Sequence, residues 1–359
     1  MPSRRAFLAG AAATLAVPTS GWAALGDPAY LAAARRDDGT HALHGLSAEG
    51  QILFARPLPG RGHAAAAHPT RPEAVAFARR PGVFAVVLNC ADGHAEATLE
   101  AAPGRHFYGH GVFSRDGATL FTTENDLDTL QGRIGIWDAS AGYARVGDIA
   151  SGGIGPHDIA RLPDSDVLVV ANGGIATHPD SGREPLNLAT MRPNLAYLTA
   201  EGGVIETQEL DAALRLNSIR HLALRADGLV AAAMQWQGAD DAAPPLVLTH
   251  RRGEAPRLLS APDAVHRRMR NYAGSVGFSR DGTRLAITSP RGAQTQVFDT
   301  AEGRFLRTSR LPDVCGLAPG AEGFLVTNGQ GVVAQLGDRQ TVLTRHPGLS
   351  WDNHLIALG

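Results

Sequence analysis

The stretch YGHGVFSRDGATLF, residues 108–121, contains a pentapeptide, FSRDG at 113–117, that recurs unchanged at 278–282. Each copy separates two apolar, strand-like stretches: GHGVF and ATLFTTE around the first, GSVGF and TRLAITS around the second. Asp-Gly between such stretches marks a reversing turn, because glycine accepts the positive φ that a tight turn requires. Diverged copies fill the chain. HAAAAHPTRPEAVAFA begins at His63, HDIARLPDSDVLVVA at His157, HLALRADGLVAAAM at His221, VCGLAPGAEGFLVTN at Val314 and HLIALG at His354.

Seven copies at intervals of roughly 38 to 64 residues are repeats, and repeats override the two-domain expectation that length alone would give. Between copies lie further short alternating stretches, such as RIGIWD at 133–138 and YARVGDI at 143–149. Four short strands in a unit of about 45 residues is the pattern of a propeller blade, whose sheet buries its faces only against its neighbours. The expected fold is therefore all-β, a seven-bladed β-propeller. Strands expected at 30–34, 41–46 and 51–55 make three quarters of a blade, and the C-terminal stretch 354–358 supplies the fourth. That pairing closes the ring and leaves no sheet edge between first and last blades.

The same alignment puts a histidine at one register in five repeats, three residues before an apolar residue of the first strand. These are His63, His110, His157, His221 and His354, with Ser275 in the sixth repeat and Val314 or Cys315 in the seventh. Only 14 of the 359 residues are histidine, so five in seven equivalent places is a pattern rather than chance. If the first strands line the channel, the five imidazoles converge at its mouth. Three readings stay open: structural bonds to backbone groups of the next blade, a transition-metal site such as Fe or Cu, or a polar or anionic ligand held by partly protonated rings.

Strand alternation places the loops between second and third strands on this same face. The longest, residues 172–192 (NGGIATHPDSGREPLNLATMR), carries His178 and Arg183, and loops of that length tend to be functional. The acidic stretch ENDLDTLQ at 124–131 resembles a calcium loop only faintly. Trp236 lies in a third loop, and Arg105, Tyr108, Arg270 and Tyr272 come from connections between blades. Together with His178, Arg183 and Trp236 they are the candidate ligand-binding residues, since arginine and tyrosine can grip a carboxylate or phosphate. No catalytic residue can be named. A Gly-x-Ser-x-Gly nucleophile element and a phosphate-binding glycine loop are both missing from the sequence.

The N-terminus reads as an export signal. SRRAFL at residues 3–8 is a twin-arginine motif followed by an apolar run too short to span a bilayer, and Gly21 and Ala23 suit a signal-peptidase site. The expectation is a Tat leader over residues 1–23, a periplasmic protein, and one propeller domain over 24–359. Removing a leader that holds Arg4, Arg5 and no acidic residue takes the net charge from −2 to −4. Neither nucleic acid nor anionic lipid is an expected partner, both needing a basic patch, and no membrane span is expected in the mature chain. The two cysteines, Cys90 and Cys315, offer no CxxC spacing and read as small buried hydrophobes.

Several segments together, RHFYGHGVFS, GGIGPHD, NGGIATHPDSGRE with LNLATM, NSIRHLAL, MRNYAGSV, TSPRG and DVCG, are similar to a family of uncharacterised, Tat-exported bacterial proteins described as a domain of unknown function. The resemblance spans essentially the whole mature chain, and more distantly the blades resemble YVTN-type propellers. It implies a role in periplasmic iron uptake beside imelysin-type proteins, which are the expected partners, and near a di-haem oxidoreductase-like protein. It carries over no catalytic residue. Three functions follow from the residues and the resemblance: a binding propeller whose histidine mouth holds a metal or small polar ligand, a metal-dependent oxidoreductase or hydrolase, and an interaction scaffold with a structural histidine ring.

Overall fold

A computed structural model describes the protein at residues 22–79, 83–182 and 184–358. Seven four-stranded antiparallel sheets stand around one axis. Their innermost strands are Leu349–Ala357, Gly62–Ala67, Arg105–Phe113, Pro156–Arg161, Asn217–Leu224, Ser275–Phe278 and Val314–Pro319, which define blades 1 to 7 in that order. Each innermost strand packs against the next, and Leu349–Ala357 packs against both Gly62–Ala67 and Val314–Pro319, so the ring is closed. The closure is a shared blade. The C-terminal strand Leu349–Ala357 pairs antiparallel with Tyr30–Arg36, which continues into His41–Leu46 and Ile52–Leu58.

Burial explains the layering. Second strands such as Leu168–Asn172 are buried along their whole length because adjacent blades cover both faces. Outermost strands such as Gln340–Arg345 are mostly exposed. Apolar side chains interlock between neighbouring sheets: Val75 and Phe77 of blade 2 pack with Phe107, Phe113, Leu120 and Trp137 of blade 3. A fully buried Phe such as Phe77 contributes roughly 1.5–3 kcal/mol over leaving it exposed.

The repeated pentapeptide builds the same turn twice. Ser114 Oγ donates to Asp116 at 2.6 Å and accepts from the Thr119 amide at 2.9 Å, while Gly117 takes φ +76°. In the second copy Ser279 donates to Asp281 at 2.6 Å, accepts from the Arg284 amide at 3.0 Å, and Gly282 takes φ +69°. Serine and aspartate thus satisfy backbone groups that a tight reversal leaves unpaired. Both turns join first to second strands, on the face opposite the histidines.

Two features differ in detail from the sequence reading. Glu124 belongs to a second strand, Thr119–Asp126, rather than to a loop, and its buried carboxylate takes both terminal nitrogens of Arg145 at 2.7 and 2.9 Å. The long connection after Leu168–Asn172 holds two short 3-10 turns, Pro179–Ser181 and Leu188–Thr190. Asn187 pins it back by accepting from the Ala176 amide at 2.7 Å and donating to the Gly174 carbonyl at 2.9 Å. Cys90 and Cys315 are both buried free thiols. The segment expected as a leader lies, up to residue 21, outside the described residues.

Candidate metal centre

Simple alternation along a strand does not bring the five histidines together; bulges do. Pairing with the second strand shifts between Gly62 and Ala65, between Phe107 and Gly111, between Pro156 and Asp158, between Ile219 and His221, and between Trp351 and Leu355. Each shift falls at or beside one histidine. A bulge adds an unpaired residue, bends the strand and re-aims the side chain there. Gly109 shows how tight the result is. Its φ is +102°, and a β-carbon on it would stand 2.7 Å from Cδ2 of His63.

His110 is the hub. Its ring centroid lies 4.9 Å from that of His63, 4.8 Å from His354, 5.2 Å from His157 and 5.7 Å from His221. Two overlapping triads, His63–His110–His354 and His110–His157–His221, each bring one ring nitrogen per residue within 4.8 Å of the others. Nε2 of His110 is 3.2 Å from Nε2 of His63. Two nitrogens bound to one ion at roughly 2.0–2.1 Å in a tetrahedron stand about 3.3 Å apart, so this spacing already suits shared ligation.

Asp158 fixes the hub ring. Its Oδ1 is 3.0 Å from His110 Nδ1 and also accepts from the Ile159 amide at 2.8 Å, while Oδ2 accepts from the Leu222 amide at 2.9 Å. Burial alone would raise this carboxyl, but the charge of a protonated His110, then the hydrogen bonds from His110 and the Leu222 amide, hold it below the usual carboxylate range. An ionised carboxylate only accepts, so Nδ1 of His110 carries the proton, and in the neutral ring Nε2 keeps its lone pair toward the centre. A carboxylate behind a histidine in this way is how metal-ligating imidazoles are usually oriented.

Four histidines outside the channel are satisfied differently, while Nδ1 of a fifth, His44, is also buried without a partner among the described residues. His68, His250, His266 and His346 each bond a backbone carbonyl, those of Gly117, Glu254, Pro244 and Gly50, at 2.7–3.2 Å. The channel histidines do not. Nδ1 of His63, His157 and His221 and Nε2 of His354 are buried without a hydrogen-bond partner among the described residues. An unsatisfied buried polar atom costs about 1–3 kcal/mol, which argues against a ring kept for structural bonding. Burial, and secondarily the neighbouring imidazoles, pushes His63, His157 and His221 well below the usual histidine value and His354 down to about 3. They are neutral at pH 7, the form in which imidazole binds a metal.

The cluster partitions the channel. Above it, on the face of the second-to-third-strand loops, a cavity of about 250 Å³ is lined by His63, His157 and His221 together with Arg79, Arg220 and Arg291. Below it a second cavity, about 290 Å³, is reached by His110, His221 and His354 and has apolar walls that include Ala66, Val112, Ile159 and Leu317. Ser275, which holds the histidine register in blade 6, lines this lower space.

Residues 56–358 match the family described as "Protein of unknown function (DUF1513)". The chain belongs to that family. No curated protein matches it in sequence. Among solved structures it is similar to hydrazine synthase of Kuenenia stuttgartiensis, at 12% identity and a TM-score of 0.60, covering 89% of this chain and 96% of that one. A chain of a mitotic checkpoint complex aligns at 14% identity and a TM-score of 0.54, covering 78% of this chain and 75% of that one. At such identities the likeness is one of fold alone.

In this DUF1513 chain the candidate ligand-binding residues part company. Tyr108 and Tyr272 line the upper cavity. Arg105 is bound to Asp126 and lies 3.6 Å from Asp148. His178 caps Pro179–Ser181 by accepting from the Asp180 amide at 3.3 Å. Trp236 donates from its indole nitrogen to the Ala239 carbonyl at 3.0 Å, and Arg270 takes a left-handed turn at φ +51°. None of these four lines the cavity; Arg183 lies outside the described residues.

Sequence reasoning passed over Asp158, Arg79 and Arg220. Asp158 and Arg220 each stand next to a channel histidine, where strict alternation would point them away from it. Only a bulge lets neighbours in sequence serve the same space. Arg79 follows a second strand, and its guanidinium is held at 3.0 Å by Asp352.

Proposed function

We propose that this protein is a periplasmic binding propeller that holds one transition-metal ion at the histidine hub of its channel, accessory to iron handling. The observation that carries the reading is the hub itself. Imidazoles from four other blades, each with a ring nitrogen unpartnered among the described residues, surround His110, whose outer nitrogen is fixed by Asp158. An all-imidazole donor set suits Fe, Cu or Zn. His63, His110 and His354, or His110, His157 and His221, would be the ligands, with positions left open toward a cavity. The family resemblance supports the periplasm and imelysin-type partners, and the twin-arginine motif supports Tat export.

Elemental analysis of the protein purified from the periplasm, beside the double variant His110→Ala/His157→Ala, tests this. Expected is about one equivalent of metal in the wild type, lost in a variant that keeps its fold by circular dichroism. Absence of metal from the wild type, together with an unchanged ability of the variant to take up added Cu(II) or Fe(II), would overturn the reading and leave a scaffold. An optical band from the bound ion with turnover of a redox dye would make the centre an oxidoreductase rather than a carrier.

A further inference from the structure

Directly above the histidine hub the channel is cationic and open. Arg79, Arg220 and Arg291 come from blades 2, 5 and 6, and the described residues lining the cavity include no carboxylate. Their charges are differently placed. Arg79 is tied to the buried Asp352, which Arg61 shares at 2.8 Å. Arg220 occupies the bulge beside His221. Arg291 is exposed and lies over the ring of Tyr272, 4.4 Å from its centroid, with no carboxylate partner among the described residues. The phenol under that guanidinium also lines the cavity, so the cation is held by a ring face rather than neutralised by an acid.

Such an arrangement works against binding a free cation. Three guanidiniums around the approach would repel a bare divalent ion, unless the ion arrives with, or is completed by, negative charge. The same cavity is reached by His63 of one triad and by His157 and His221 of the other, so a ligand seated among the arginines would stand beside an ion held by either triad. At about 250 Å³ the space is smaller than the roughly 300–1,000 Å³ typical of drug-sized pockets. It fits a molecule of a few heavy atoms with oxygen acceptors, and guanidinium forks bind carboxylates bidentately.

We infer that the upper cavity is an anion site for a small di- or hydroxycarboxylate, gripped by Arg79, Arg220 and Arg291, which supplies oxygen ligands to the ion on the histidine hub. This deepens the metal-binding reading and rests on it for the second half of its role.

The two ideas separate in one experiment on the mature chain loaded with Co(II), whose visible bands report its ligands. Metal content is measured first, then malonate is titrated in, with the uncharged diamide of malonic acid as control. The expected result is full Co(II) occupancy, a change in the visible bands with malonate and none with the diamide. The variants Arg291→Gln and Arg220→Gln should keep Co(II) but bind malonate about tenfold more weakly each, the scale of a lost charge-assisted hydrogen bond. Added salt should weaken binding to the wild type more steeply than to the variants. Arg291 is exposed, so its variant tests the idea even if Arg220→Gln fails to fold. Full Co(II) occupancy with equal malonate affinity in wild type and variants would overturn the anion site and leave the metal reading intact. No Co(II) uptake either alone or in the presence of malonate would overturn the metal reading, and calorimetric titration of malonate into the metal-free wild type and Arg291→Gln then decides the anion site alone.

Discussion

Asp158 reaches across from blade 4 to hold Nδ1 of His110 of blade 3 at 3.0 Å, so the orientation of the hub imidazole is set by a different sheet from the one that carries it. The coupling makes the centre depend on how neighbouring blades register against each other. Two amides, of Ile159 and Leu222, in turn position the carboxylate, and the second of them belongs to blade 5.

Replacing Asp158 by Asn keeps the size of the side chain but removes the charge and the obligation to accept. The amide can present a donor to Nδ1, favouring the wrong tautomer of His110. Metal affinity should fall about 10- to 100-fold, the usual effect of losing a carboxylate behind a ligating histidine. Competition against a chromophoric chelator measures this directly. Unchanged affinity would mean that Asp158 serves folding alone.

Gly109 is the second lever. A side chain there meets both an unfavourable φ of +102° and the His63 ring at 2.7 Å. Gly109→Ala should cost about 1–3 kcal/mol in stability, the range for a residue held in a sparsely populated backbone region, and should displace His63 from the His63–His110–His354 triad. Urea denaturation and metal titration on the same sample would show both losses. Gly104, with φ +73° and only Asp128 Oδ2 at 3.7 Å near its would-be β-carbon, lies away from the hub and provides the control in which only stability changes.

How much of this is legible in the sequence follows from which forces are local. The FSRDG turns were readable because Ser114, Asp116 and Gly117 satisfy their own reversal with neighbours in sequence. The five histidines were readable as a set because repeats preserve register. Their convergence was readable only through the ring, and the bulges that aim them leave no mark in composition. The partners of the rim residues were not legible: Arg105 is held by Asp126 and Trp236 by the Ala239 carbonyl. Arg79 and Arg220 matter because of what other blades place beside them, which no single repeat contains.

Glu124 and Arg145 test whether stability and the centre are separable. Glu124 is fully buried, and both its oxygens are taken by the Arg145 guanidinium, which also stacks on Trp137 at 5.1 Å. Removing one partner of a buried pair leaves an uncompensated charge, and Arg145→Ala should cost about 3–5 kcal/mol. Metal stoichiometry in the surviving folded fraction should stay at the wild-type value, because the pair lies between second and fourth strands and not in the channel. Thermal unfolding followed by elemental analysis checks both halves.

The channel histidines predict how the metal-free protein responds to acid. Unfolded, each takes up a proton near pH 6.5. Folded, burial and the neighbouring rings keep His63, His157 and His221 neutral well below that, and His354 down to about 3. Between those values the unfolded chain binds more protons than the folded one, so stability falls as pH drops through 6.5 and keeps falling toward the folded values. Each such histidine adds a slope of about 1.4 kcal/mol per pH unit below pH 6.5. His354→Asn should therefore flatten the decline between pH 6 and pH 5 by about that amount relative to wild type, whatever it does to stability at pH 7.5. Urea denaturation of the apo protein at successive pH values measures the slope. A wild type whose stability is level over that range would mean that the rings take up protons in the folded state, and so that the hub is open to water rather than closed around its nitrogens.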